Sequence, residues 1–249
     1  MATFEQGEIR IEYWEHGSGF PLTLFAPGGM RSEAKLWGET AADPSKRPPW
    51  IDPRSDLAGD FRVISMDQRN AGASRAPVRP GDGWKTYTSD HLALLDHLGV
   101  DRTHLMGGCI GSSYCLSLIE ESPSRVAAAV LQNPIGLTAK NRRAFHEMFD
   151  SWAAELRASR DDVTEEALDA MRESFYDGDF VFSVGRDFVA HCPVPLLVLA
   201  GNDLYHPREI AEEIASLAPD AELVYDWAGE HDRTRAKVRE FLLARTPPA

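Results

Sequence analysis

The chain carries a cysteine between closely spaced glycines, in the segment Gly-Gly-Cys-Ile-Gly at residues 107–111. An apolar run at 103–106 precedes this segment, and a helical pattern at 112–121 follows it. The outer glycines permit a tight turn between a strand and a helix, because a side chain at either position would collide with neighbouring backbone. Such a turn places Cys109 at the N-terminus of a helix, where its thiolate, the reactive form, is stabilised. The spacing therefore predicts nucleophilic chemistry at Cys109.

Apolar runs and helical patterns alternate along the rest of the chain. Residues 8–15 alternate between apolar and polar types, which predicts an antiparallel strand at a sheet edge. Further strands are predicted at the apolar runs 21–26, 61–66, 103–106, 126–132, 195–200 and 222–225, and helices at 87–98, 210–217 and 234–244. Strands that are separated by helices predict an α/β fold, in which a doubly wound, mostly parallel sheet is covered on both faces.

Two long segments interrupt this alternation. The first, at 30–60, contains four prolines. A connection of this length in a compact domain is usually functional or disordered, and whether it closes over the site is left open. The second, at 134–193, holds helical patterns at 140–157, 164–176 and 180–189, with Thr164 as an N-cap. These segments predict a core made of 1–133 and 194–249 and a small helical lid inserted at 134–193.

The composition of the chain limits the kinds of partner that we expect it to bind. The formal net charge is −13, which disfavours nucleic acid and anionic membranes as partners, since both attract basic surfaces. The sequence has no apolar run long enough for a transmembrane helix and no signal-peptide pattern at its start. Its three cysteines do not form a disulfide framework. We therefore predict a cytoplasmic protein whose partner is a small molecule, and the sequence leaves a homodimer open.

The motifs together resemble the α/β-hydrolase superfamily, with a cysteine where a serine is usual at the nucleophile position. The resemblance covers essentially the whole chain and implies an eight-stranded sheet. It also implies a triad in the order nucleophile, acid and base, formed by Cys109, Asp203 and His231. Asp203 ends an apolar strand in a Gly-Asn-Asp turn, and His231 lies just before the last helical pattern. Asp226 is held open as a second candidate acid, and His206, beside Asp203, as a pocket residue.

The resemblance further implies an oxyanion hole made of backbone N–H groups. Ile110, directly after the cysteine, would supply one, and Gly29 would supply the other, with Met30 as the next candidate. Aromatic residues of the predicted lid share one helix face, which either packs the lid onto the core or lines a pocket for an acyl group. The predicted pocket residues are Met30, Phe145, Phe149, Trp152 and His206.

These residues predict hydrolysis of an acyl compound through a covalent intermediate. His231 would take the thiol proton, Cys109 would form a thioacyl enzyme, and water would release the acid. Because a thiolate leaves more readily than an alkoxide, the expected substrates are activated acyl compounds such as thioesters, lactones and activated esters. No metal or organic cofactor is implied. Three alternatives stay open: an acyltransferase, a cofactor-free C–C hydrolase or lyase, and a sensor that binds a small molecule on the same fold.

Overall fold

An eight-stranded sheet runs through the part of the chain that the structure, a computed structural model, describes: residues 1–39 and 48–248. Its strands are β1 (Ala2–Gln6), β2 (Ile9–His16), β3 (Phe20–Phe25), β4 (Phe61–Met66), β5 (Thr103–Gly108), β6 (Val126–Gln132), β7 (Leu196–Leu199) and β8 (Ala221–Val224). They lie side by side in the order β1-β2-β4-β3-β5-β6-β7-β8. β2 pairs antiparallel with β1 and β4, and the other pairs are parallel. The predicted fold class is confirmed.

The first strand is the one that the sequence pattern did not locate. Within β1 only Phe4 is buried, and it lies opposite Ile11 in the register with β2. A strand with a single inward side chain gives no alternating pattern. The other strands of the described chain lie where the apolar runs predict them, to within two residues at either end.

Helices cover the sheet on both faces. Those in residues 1–39 and 48–248 are α1 (Pro53–Asp56), α2 (Trp84–His97), α3 (Ile110–Glu121), α4 (Arg142–Ser159), α5 (Glu165–Tyr176), α6 (Arg186–Ala190), α7 (Arg208–Leu217) and α8 (His231–Leu243). Along β6, Ala129 and Leu131 belong to one core cluster, and Ala128 and Val130 belong to the other. Burial on both faces explains why the strand is apolar throughout. By length and hydropathy, none of the helices in the described ranges could cross a membrane.

The segment between β6 and β7 is helical, as the sequence predicts. Thr164 caps α5, because its side-chain oxygen accepts a hydrogen bond from the Ala167 N–H at 3.2 Å. The third helix, α6, begins later than predicted, since Phe180 and Phe182 adopt positive φ angles of 53° and 65° that a helix does not permit. The role of this insertion as a lid, with the boundaries 134–193, stays a prediction.

The connection at 30–60 is described in two parts, 30–39 and 48–60, with residues 40–47 outside the described residues. Two short 3₁₀ helices, Gly29–Arg31 and Ala34–Trp37, begin it. Helix α1 comes near its end, and Asp52 caps that helix by accepting a hydrogen bond from the Arg54 N–H at 3.1 Å. The connection therefore has local structure on both sides of residues 40–47.

Candidate active site

Cys109 occupies a strained turn between β5 and α3. Its φ and ψ angles are 56° and −119°, a region that non-glycine residues rarely adopt and that is found chiefly at functional sites. Its N–H donates a hydrogen bond to the Gln132 carbonyl at 2.9 Å, which ties the turn to the end of β6. A Cβ atom at Gly107 would lie 2.1 Å from the Gly111 carbonyl oxygen, and one at Gly111 would lie 2.0 Å from the Phe25 carbonyl oxygen. The backbone therefore packs as the glycine spacing predicts.

Gly111→Ala is expected to be strongly destabilising, since the new methyl group would collide with the backbone of β3. We expect a loss of at least about 2 kcal/mol in the free energy of unfolding, because neither backbone segment can move freely. Urea unfolding measures this loss. Gly59→Ala is the matched control, because a Cβ at Gly59 meets no heavy atom within 4 Å. Equal stability of the two variants would contradict the steric argument.

Asp203 and His206 form a compact pair in the loop between β7 and α7. The His206 Nδ1 lies 2.8 Å from each carboxylate oxygen of Asp203. The same carboxylate also accepts hydrogen bonds from the backbone N–H groups of Tyr205 at 2.9 Å and His206 at 3.0 Å. A Cβ at Gly201 would lie 2.4 Å from the His206 Cβ, so this glycine makes room for the imidazole. The pair thus fixes the ring with its proton on Nδ1 and leaves Nε2 for another partner.

Cys109 and the Asp203–His206 pair shift each other's pKa values. Burial raises the pKa of the Cys109 thiol, but the positive charge of His206 and nearby backbone N–H groups outweigh it, so the pKa is lowered. Burial lowers the pKa of His206, but the Cys109 thiolate and the Asp203 carboxylate outweigh it and raise the pKa to about 10. The hydrogen bond from His206 lowers the pKa of Asp203 to about 2. The thiolate and the imidazolium therefore stabilise each other.

Two backbone N–H groups lie at the sulfur. Those of Ile110 and Gly28 both stabilise the thiolate and thereby lower the pKa of Cys109. Gly28 has a φ of 120°, and a Cβ there would lie 2.5 Å from the Leu36 side chain. Glycine is therefore the residue type that lets this backbone approach the sulfur. Ile110 is one of the two donors that the resemblance implies. The other N–H group at the sulfur belongs to Gly28, next to the predicted Gly29.

A cavity of about 210 Å³ opens at Cys109. The described residues that line it are Pro27, Gly28, Leu36, Glu39, Trp50, Cys109, Gln132, Asn133 and His206. Three of them, Leu36, Glu39 and Trp50, come from the 30–60 connection, and none comes from the helical insertion. The described part of this connection therefore forms one wall of the site. Within residues 1–39 and 48–248, no group of three or more His, Cys, Asp or Glu side chains is arranged to hold a metal ion.

Of the predicted pocket residues, the structure places His206 at the cavity and the other four outside it. Phe145 and Phe149 lie on α4 within the insertion and are buried against the ring of Tyr176 on α5. The Tyr176 hydroxyl contacts the Met30 sulfur at 3.7 Å. Trp152 is buried too, and its Nε1 lies 3.4 Å from the Asn70 carbonyl oxygen. The shared aromatic face therefore packs the insertion onto the core, which is the first of the two roles that its spacing predicts.

The prediction for the base needs a correction. His231 is the first residue of α8, and its Nε2 lies 2.9 Å from the Pro48 carbonyl oxygen. It does not line the cavity in the described part of the chain, and Asp203 pairs with His206 instead. Asp226, the second candidate acid, is exposed in the loop after β8. The structure thus brings together Cys109, Asp203 and His206, and it leaves His231 apart from them.

Comparison with known proteins identifies the fold. Residues 49–165 match the model of a family described as alpha/beta hydrolase fold. The solved structure of a hydrolase from Pseudomonas aeruginosa PA01 aligns with a TM-score of 0.70, over 98% of this chain and 97% of that chain, at 20% sequence identity. The chain has the α/β-hydrolase fold. The resemblance that the sequence motifs predict is therefore confirmed at the level of the fold.

Curated relatives match parts of this chain. The acetyltransferase component of an acetoin cleaving system from Pseudomonas putida is 28% identical over 200 residues, which are 70% of this chain and 52% of the relative. The putative carbamate hydrolase RutD from Variovorax paradoxus is 36% identical over 123 residues, 49% of this chain and 42% of the relative. This chain thus spans about half of the length of these two relatives.

The histidine that pairs with Asp203 lies in the same loop as that aspartate, and not after the last strand as the resemblance implies. The sequence contains a local pattern for this: a glycine, an aspartate two residues later, and then a His-Pro pair at 206–207. An aspartate readily accepts hydrogen bonds from the backbone two and three residues further on. Such a turn brings the residue at position i+3 back to the carboxylate. Local turn chemistry could therefore have identified His206 before the structure did.

Proposed function

We propose that the chain is an acyl hydrolase whose nucleophile is Cys109, with His206 as general base and acid and Asp203 as the residue that orients His206. The observation that carries this proposal is the thiol on its strained turn beside an imidazole held by a carboxylate, which together lower the thiol pKa. A nucleophile, a base and a group that orients the base form the unit used in covalent acyl transfer. The partner is a small-molecule acyl compound, handled in the cytoplasm, where a thiol persists.

The proposed reaction has two half-reactions. In the first, the Cys109 thiolate attacks the carbonyl carbon, and the N–H groups of Ile110 and Gly28 hold the negative oxygen of the tetrahedral intermediate. The carbon–leaving-group bond then breaks, and the leaving group takes a proton from His206. In the second, neutral His206 takes a proton from water, which attacks the thioacyl carbon. The carbon–sulfur bond then breaks, which releases the acid and regenerates the thiolate–imidazolium pair on the enzyme.

The nucleophile suggests which acyl compounds react. A thiolate attached to a tetrahedral carbon leaves more readily than an alkoxide, so attack on an unactivated ester returns to the starting materials. Thioesters, lactones and esters with good leaving groups react forward, because their leaving groups compete with the sulfur. Relatives named as carbamate hydrolases favour the inclusion of carbamates in this class.

The volume of the cavity sets an expected limit on the acyl group. Small-molecule sites usually occupy roughly 300–1,000 Å³, whereas this cavity holds about 210 Å³. We expect acetyl and propionyl thioesters to be hydrolysed with a kcat/KM at least about tenfold above that of octanoyl thioesters, since each methylene that does not fit loses binding. A series of acyl thioesters with one common thiol measures this preference. Equal rates along the series would contradict a small acyl site.

The direct test of the proposal is to trap the intermediate. Wild type, Cys109→Ala and Cys109→Ser are each mixed with p-nitrophenyl acetate and acetyl thioesters, quenched in acid and analysed by mass spectrometry. We expect an acetyl adduct on Cys109 in wild type, together with a burst of p-nitrophenol, and no adduct in Cys109→Ala. Full turnover by Cys109→Ala would contradict the proposal. Tight binding of a small molecule without turnover would favour the sensor instead.

A further inference from the structure

His231 has a defined contact that the proposed chemistry does not use. Its Nε2 lies 2.9 Å from the Pro48 carbonyl oxygen, so the ring donates a hydrogen bond to the 30–60 connection. Two residues earlier in the same loop, the Gly229 N–H donates to the Pro49 carbonyl oxygen at 2.7 Å. The loop between β8 and α8 therefore holds two consecutive residues of the connection from one side.

Trp50, the residue that follows these two prolines, forms part of the cavity wall at Cys109. Trp50 lines the cavity together with Cys109 and His206. Its ring is held a second time, because the Trp50 Nε1 donates to the Trp37 carbonyl oxygen at 3.0 Å. The ring of Trp37 in turn packs at the end of β5, where a Cβ on Gly108 would lie 3.2 Å from it. A continuous set of contacts thus joins His231 to the residue just before the nucleophile.

The backbone around this contact is stiff on both sides of Trp50. Pro48 and Pro49 precede it, and Pro53 begins α1 three residues after it. Proline fixes its own φ angle and restricts the residue before it. Two hydrogen bonds to such a segment can therefore set the position of Trp50, since the backbone between the anchors has few other conformations. The loop after β8 is itself anchored to the sheet, because the Trp227 Nε1 donates to the Ala200 carbonyl oxygen at 2.8 Å.

We propose that His231 is a positioning residue of the active site, which holds the segment 48–50 so that Trp50 forms the cavity wall against the substrate. The inference rests on the proposed function, because it concerns the cavity beside Cys109. His231 then acts on substrate binding rather than on proton transfer. His231 follows the last strand, as the resemblance implies for the base, but its ring supports the cavity wall and does not take a proton from Cys109.

The test separates binding from chemistry. His231→Ala is expected to raise KM about tenfold, the equivalent of one lost hydrogen bond, while kcat and its pH profile stay those of wild type. His231→Gln is expected to restore KM, because its amide N–H can donate to the same carbonyl. Trp50→Ala should raise KM to a similar extent, and adding His231→Ala to it should raise KM no further. His16→Ala, which changes an exposed histidine at the end of β2, is the control.

Each other outcome has a clear consequence. An unchanged KM in His231→Ala, or additive effects of His231→Ala and Trp50→Ala, would overturn the inference and leave the proposed function intact. A loss of kcat in His231→Ala with retention in His206→Ala would overturn both, since His231 would then be the base. If His231→Ala does not fold, His231→Gln and Trp50→Ala decide: wild-type KM in Trp50→Ala, or a raised KM in a folded His231→Gln, would refute the positioning role.

Discussion

His206→Ala is expected to lower kcat/KM for activated esters and thioesters by at least about 10³-fold. The variant loses the group that protonates the leaving group and activates water. It also loses the positive charge that lowers the pKa of Cys109. Burial of the thiol is then opposed only by the N–H groups of Ile110 and Gly28, so the pKa rises and less thiolate remains at neutral pH. Steady-state kinetics with acetyl thioesters at neutral pH measure the loss.

The matched comparison for this prediction is His231→Ala. Both variants remove an imidazole from a loop at the carboxyl edge of the sheet, but only His206 lies beside the thiol. We expect the kcat of His231→Ala to stay within about threefold of wild type, since no reacting atom is touched. If His206→Ala keeps its activity and His231→Ala loses it, the assignment of the base made here is wrong.

Cys109→Ala is expected to have the largest effect, a loss of at least about 10⁴-fold in kcat/KM. It removes the nucleophile while the N–H groups of Ile110 and Gly28 stay in place. Cys109→Ser keeps a nucleophilic atom on the same turn, but a serine hydroxyl is not ionised at neutral pH and depends wholly on His206 as a base. For Cys109→Ser we expect a smaller loss in kcat/KM, of about 10²-fold. The size of this loss should differ between the thioester and the ester.

These two variants are compared with wild type in one assay of thioester and ester hydrolysis. Cys115→Ala is a suitable control, because Cys115 is a buried thiol in α3 whose pKa is raised well above its ordinary value by burial. Its activity should remain near that of wild type. Activity of Cys109→Ala at the level of Cys115→Ala would show that the turn carries no nucleophile, and a lyase or sensor would then become the better account.

The fold and the tight turn at Cys109 were predictable because their causes are local. Gly107 and Gly111 are needed where a Cβ would lie about 2 Å from a carbonyl oxygen, and few sequences satisfy this by chance. The strand at 126–132 is apolar throughout because both of its faces are buried. Spacing and periodicity report such requirements directly.

The structure pairs Asp203 with His206 and not with His231, whereas the prediction used the position along the chain that the resemblance implies. His231 has that position, but its ring binds the Pro48 carbonyl. His206 reaches the site through a turn within four residues, which sets Nδ1 against Asp203. Only the local hydrogen-bonding pattern distinguishes the two histidines, and a comparison of chain positions does not contain that pattern.

The cavity wall could not be predicted for a different reason. Helix spacing places Phe145 and Phe149 on one face, but it does not say whether that face meets an empty pocket or a packed core. The answer depends on Tyr176, which lies far along the chain and fills the space against both rings. In the same way, Trp50 reaches the site through contacts with Trp37 and the loop before α8. Such long-range packing leaves no pattern in a short window of sequence.

The central claim is that His206 lowers the pKa of Cys109, and the pH dependence of Cys109 alkylation tests it most directly. Iodoacetamide labelling of Cys109, followed by peptide mass spectrometry in wild type and His206→Asn, reports the thiolate fraction at each pH. Wild type should show an inflection clearly below the ordinary thiol value of about 8.5, and His206→Asn should show it at or above that value. An inflection at the same pH in both proteins would contradict the account.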